Sequence, residues 1–85
     1  MLRKMVLPSG LFTREGETSI AAPGNTVRTF IENVRDTEPE LAESLWPVDD
    51  TPNYVFFCGG HIVGVDRELS DSDVPIHCGR VMYGG

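Results

Sequence analysis

The sequence predicts a small α+β domain, with a mixed sheet of about five strands, one main helix and one short helix. Three observations point there. Val27, Phe30, Ile31 and Val34 fall at i, i+3, i+4 and i+7, the apolar stripe of an amphipathic helix. The run Tyr54-Val55-Phe56-Phe57-Cys58 is aromatic and β-branched, and Gly59-Gly60 after it suits a two-residue hairpin turn. Strand-like runs also stand near both ends, Leu2 to Leu7 and Val74 to Val81.

Composition bounds the function. The 85 residues are enough for one domain, read as residues 1–85 with a flexible Gly-Gly tail over about 82–85. Seven Lys and Arg stand against thirteen Asp and Glu, a formal net charge of −6. No basic stripe is present, which argues against nucleic acid or an anionic membrane as partner. Two cysteines are too few for a secreted disulfide scaffold. The apolar run Met5 to Leu7 is far too short for a signal peptide or membrane span. A cytoplasmic protein is expected.

The elements follow in order. Leu2 to Leu7 is a first strand, stopped by Pro8-Ser9-Gly10, and Glu17 to Ala21 is its hairpin partner. Pro23-Gly24-Asn25 breaks the hairpin. Thr26 is the preferred N-cap of the main helix, which should end near Asp36. Thr37-Glu38-Pro39-Glu40 reads as a second helix start, with Thr37 as cap and Glu40 as the reciprocal carboxylate of a capping box. Leu41, Leu45 and Trp46 give that helix an apolar side, and Pro47 stops it. Val48 to Asn53 is a polar surface loop. Tyr54 to Cys58 and His61 to Val65 form a second hairpin, Leu69 anchors a loop, and Ser70 to Asp73 makes a turn before the last strand. For a single domain with this order, the economical topology is the β-grasp, a mixed sheet wrapped around its helix.

The chain runs on from the last strand through Met82, Tyr83, Gly84 and Gly85. Two glycines without Cβ atoms can thread a channel too narrow for other residues. Such an end suits a carboxylate presented to another protein's active site, although chance alone puts Gly-Gly there in roughly 0.5% of chains.

With these pieces in place the chain resembles the ubiquitin-like sulfur carrier proteins, the molybdopterin synthase small subunit and the thiamine-pathway sulfur carrier among them. Four motifs carry the resemblance, which spans nearly the whole chain. Gly24-Asn25-Thr26-Val27-Arg28 is similar to the family's Gly-x-Thr-Val helix start. Val55-Phe56-Phe57-Cys58-Gly59-Gly60 matches its apolar strand and glycine turn. Leu69-Ser70-Asp71-Ser72-Asp73 is similar to its Leu-x-Asp-Gly-Asp turn, and Gly84-Gly85 is its terminus. The sequence departs from the family at Tyr83, where a small residue is commoner, and at Pro75 near the start of the last strand.

The resemblance implies a carrier that is a co-substrate rather than an enzyme and binds no cofactor itself. An E1-like activating enzyme would use ATP and Mg to adenylate the Gly85 carboxylate. A rhodanese-type protein or cysteine desulfurase would supply sulfur, and an acceptor biosynthetic enzyme would take it from the Gly85 thiocarboxylate. That enzyme would serve molybdopterin, cysteine, thiamine or a sulfur-containing natural product. A ubiquitin-like modifier joined to lysines through Gly85, or a non-catalytic β-grasp interaction domain, are the alternatives.

Two further groups of residues invite assignment. If Val55 and Phe57 face the helix, alternation sends Phe56 outward. Phe56, His77 and Arg80 would then form a docking patch beside the tail, with Ile76 and Cys78 pointing inward. Cys58, His61, His77 and Cys78 include a Cys-x-x-His spacing. However, neighbouring strand positions face opposite ways, so no metal site is expected.

Overall fold

Pro23 and Gly24 end the first hairpin and deliver the chain to the main helix, around which the fold assembles. The computed structural model describes residues 2–46, 54–69 and 74–80. Its elements are β1 (Arg3–Val6), β2 (Ser19–Ala22), α1 (Val27–Thr37), α2 (Pro39–Leu45), β3 (Tyr54–Cys58), β4 (His61–Val63) and β5 (Ile76–Arg80). Together they make a small α+β unit with a mixed five-stranded sheet and two helices among the described residues.

The strand order is β2-β1-β5-β3-β4. Pairs are antiparallel except β1 with β5, whose register sets Met5 beside Ile76 and Val6 beside His77. The first and last strands therefore lie side by side within the sheet, and the two hairpins flank them. Gly59 and Gly60 both take positive φ, 62° and 81°, which lets a two-residue turn match the twist of β3 and β4.

α1 begins as its sequence suggests. Thr26 is extended and its Oγ1 accepts from Thr29 N–H at 3.1 Å, satisfying one of the donors left open at a helix start. The stripe Val27, Phe30, Ile31 and Val34 is buried against Met5, Phe56, Val63 and Ile76 of the sheet and Leu41 and Leu45 of α2. Each such side chain contributes about 1.5–3 kcal/mol relative to exposure. Gly24 meets the helix closely: a Cβ there would lie 2.6 Å from Phe30 N and 2.8 Å from its Cα.

The capping box expected at Thr37 does not form. Thr37 is the last residue of α1, and α2 is capped by Glu38 without a side-chain bond. Arg14 from the β1–β2 connection competes for this junction. Its N–H donates to Glu38 Oε1 at 3.1 Å, and its guanidinium reaches the Glu38 carboxylate and donates to Thr37 C=O. On α2, Glu43 accepts from Arg35 of α1 at 2.9 Å, an ion pair that ties the two helices together. Trp46 packs half-buried, 6.4 Å from Phe56, with the Arg28 guanidinium 5.6 Å from its ring centre.

Strands are shorter than their sequence runs. β2 starts at Ser19 rather than Glu17, β4 stops at Val63, and β5 starts at Ile76, after Pro75. Leu69 is buried as expected, its N–H bonded to Asn25 C=O at 2.7 Å. Arg3 is a surprise: it is buried at 5% exposure, donating from Nε to Gly24 C=O and from Nη2 to Leu69 C=O. One guanidinium thus joins the first strand to the helix start and to the loop after β4. The expected loop 48–53 and turn 70–73 lie outside the described residues.

Candidate functional site at the last strand

β5 occupies the middle of the sheet, parallel to β1 and antiparallel to β3. Alternation along it sets Ile76, Cys78 and Arg80 towards the helices and His77 and Gly79 away from them. On the helix-free face a single row crosses four strands: Val6 beside His77, His77 beside Phe57, and Phe57 beside Ile62. His77 is exposed, Val6 and Phe57 are half-buried, and Ile62 is 65% exposed. Val55 pairs with Gly79 one step towards the end of β5. The row is apolar around one imidazole, on a face that no helix covers among the described residues.

Phe56 does not belong to it. It is buried at 2% exposure, in the core beneath Trp46, so it offers nothing to a partner. The physical reason is register. Phe56 pairs with Cys78 and Cys58 with Ile76, and directly paired residues share a face. Once Ile76 faces the core, Phe56 must face it too, and Val55 and Phe57 turn outward.

Arg80 is separated from His77 as well. It is exposed and pairs with Tyr54, on the Cys78 side of the strand. With Pro8, Ser9, Tyr54 and Cys78 it lines a recess of about 470 Å³ where β5 ends. Burial pushes the Cys78 thiol up to about 12, so at neutral pH it is protonated and inert. The expected patch of Phe56, His77 and Arg80 is therefore not one surface. His77 stands in the apolar row, Arg80 in the recess behind it, and Phe56 in the core. Met82, Tyr83, Gly84 and Gly85 lie outside the described residues.

Sequence reasoning missed Gly79. A Cβ at that position would come within 2.7 Å of Phe57 Cε2, so the ring lies across the glycine. Its signal was present, because a lone glycine inside a strand pattern marks a close approach. Ile62 was missed too, since a single apolar residue on a short edge strand carries no periodic signal.

Cys58, His61, His77 and Cys78 do not converge. His77 is on the outer face, and Cys58 and Cys78 are diagonal rather than opposite, at a Cα spacing of roughly 7–8 Å. That spacing is beyond ordinary disulfide reach. Both are free thiols. Among the described residues no three His, Cys, Asp or Glu side chains gather as metal ligands, and no helix is long and apolar enough to cross a membrane.

No protein-family model matches the chain, and no curated protein or solved structure matches it either.

Proposed function

We propose that this protein is a ubiquitin-like β-grasp sulfur carrier that cycles between a carboxylate and a thiocarboxylate on Gly85. The observation that carries the reading is the strand order β2-β1-β5-β3-β4 with β1 parallel to β5. Among the described residues β5, a central strand, ends at Arg80, five residues before Gly85 in the sequence. The row Val6, His77, Phe57 and Ile62 near that strand end offers an apolar face on which an activating enzyme could dock. It replaces the patch expected around Phe56.

In this role the chain supplies position and a carboxylate. The activating enzyme joins that carboxylate to AMP from MgATP, releasing pyrophosphate. A persulfide R–S–S⁻ then displaces AMP at the carbonyl carbon to give an acyl disulfide, and a partner thiol attacks its R–S sulfur, leaving the Gly85 thiocarboxylate and a disulfide on the partner. Rate acceleration belongs to the partner's site, which holds the acyl carbon and stabilises its developing charge.

The reading requires a free α-carboxylate on Gly85, which the intact mass of protein from its own cell tests first. Purified protein is then incubated with the activating enzyme of its host, MgATP, a persulfide donor and a thiol reductant. Exchange of one oxygen for sulfur on Gly85 supports the carrier. Isopeptide conjugates to lysine in cell extracts point to a modifier instead. Absence of any ATP-dependent product leaves an interaction domain and ends the proposal.

A further inference from the structure

β2 stands at one end of the strand order and pairs only with β1, so its outer side is a sheet edge. The Leu7 N–H donates to Thr18 C=O at 2.9 Å, which makes these two residues a hydrogen-bonded antiparallel pair. Bonded and non-bonded pairs alternate, so Ile20 and Ala22 turn their backbone groups to β1, and Ser19 and Ala21 turn theirs outward. Among the described residues nothing bonds to those outward groups. Ala21 is exposed and Ser19 half-buried. A groove of about 390 Å³ follows this edge and is lined from both sheet faces, by Ile20, Thr37 and Glu38 on the helix side and by Lys4, Ser19 and Ala21 on the other. β2 itself, Ser-Ile-Ala-Ala, has none of the lysines or prolines that commonly blunt an edge. The groove's charges are ordered along the strand. Glu15 and Glu17 line it just before β2, and Lys4 lies across from Ala21 near its end. Glu38 is already held by Arg14. From Glu17 to Ala21 is roughly 13 Å of extended chain.

We propose that the β2 edge accepts an extended segment of a partner protein as an added antiparallel strand, one that carries an acidic residue near its start and a lysine or arginine near its end. Backbone bonds to Ser19 and Ala21 set its register. Antiparallel pairing puts the segment's acidic residue beside Lys4 and its basic residue beside Glu15 and Glu17, so the two charges set its direction. A second copy of this chain fits less well, because it carries a net charge of −6 and would bring its own acidic rim to this one. β1 separates the edge from β5, so this binding is independent of the Gly85 chemistry.

The test titrates the synthetic peptide acetyl-Thr-Glu-Val-Thr-Val-Lys-Thr-amide into the isotope-labelled full chain and follows backbone amides by NMR. The Ser19 and Ala21 amides should move downfield and exchange with solvent roughly tenfold more slowly, while those of Ile20 and Ala22, already bonded to β1, should move less. A control peptide with glutamate in place of the lysine should bind roughly threefold more weakly, and Glu17→Gln should weaken the lysine peptide to a similar extent. Ala21→Pro removes an outward N–H that the fold does not use, so it should abolish binding while circular dichroism shows a folded chain. Should that variant not fold, Glu17→Lys at the exposed turn reads the same site by reversing the preference between the two peptides. Equal shifts from Ser19 to Ala22, shifts confined to other strands, or no saturation by millimolar peptide overturn the proposal. So does protection of Ser19 and Ala21 that grows with the concentration of the protein alone, which assigns the edge to a second copy.

Discussion

Replacing two neighbouring phenylalanines separates the core from the outer face. Phe56 is 2% exposed, in contact with the helix layer through Trp46, and its truncation to alanine leaves a ring-sized void. Such losses cost about 3–5 kcal/mol. A domain of this length holds roughly 4–13 kcal/mol in total, so Phe56→Ala removes a large share of it. At about 4–8 °C per kcal/mol, the melting temperature should fall by at least about 12 °C. Phe57 lies over Gly79 on the helix-free face, and Phe57→Ala should cost about 1 kcal/mol or less. Urea denaturation followed by tryptophan fluorescence reads both, since Trp46 is the chain's one tryptophan. In the activation assay the order should reverse: Phe57→Ala folds but reacts poorly, whereas Phe56→Ala loses activity only as far as it unfolds. If Phe57→Ala destabilises as much as Phe56→Ala, the face assignment and the docking row built on it are both wrong.

Three further outcomes are expected. Gly24→Ala should destabilise strongly, by about 2–4 kcal/mol, because the added methyl meets the backbone of Phe30 rather than a movable side chain; a denaturation midpoint unchanged from wild type would contradict that close approach. Arg3→Met keeps the buried stem but removes the donors to the Gly24 and Leu69 carbonyls, so it should cost about 1–3 kcal/mol and speed amide exchange at Leu69. The Arg28 guanidinium, bonded to Asp66 at 2.6 Å, holds that carboxyl below its usual value of 3.8. A depressed folded value means that the ion pair stabilises above pH 3.8 and is lost as pH falls through the folded value. A carbon-detected NMR titration should show this, and Arg28→Gln should return the Asp66 midpoint upward.

Local signals were legible where they were redundant. The α1 stripe, the Thr26 cap and the Gly59-Gly60 turn each combine residue type with spacing, and each took its expected place. The run Tyr54 to Cys58 was legible as a strand but not as a pair of faces. All five residues are apolar or amphipathic, so period-two alternation has no contrast to read. Thr37 misled for another reason. It was absorbed as the last residue of α1, and the next residue, Glu38, is held by Arg14, a partner distant in sequence.

The sequence by itself determined the element order, the core face of α1 and the glycine-rich continuation past the last strand. These are short-range properties, decided within a few residues by backbone sterics and apolar spacing. Only the tertiary structure decided which side of β3 faces solvent, that Arg3 is a buried tie, and that His77 and Arg80 stand on opposite faces. Each of those depends on pairing between segments far apart in the chain. In a sheet, a one-residue change of register turns every side chain over, and no single strand records which register its neighbours will impose.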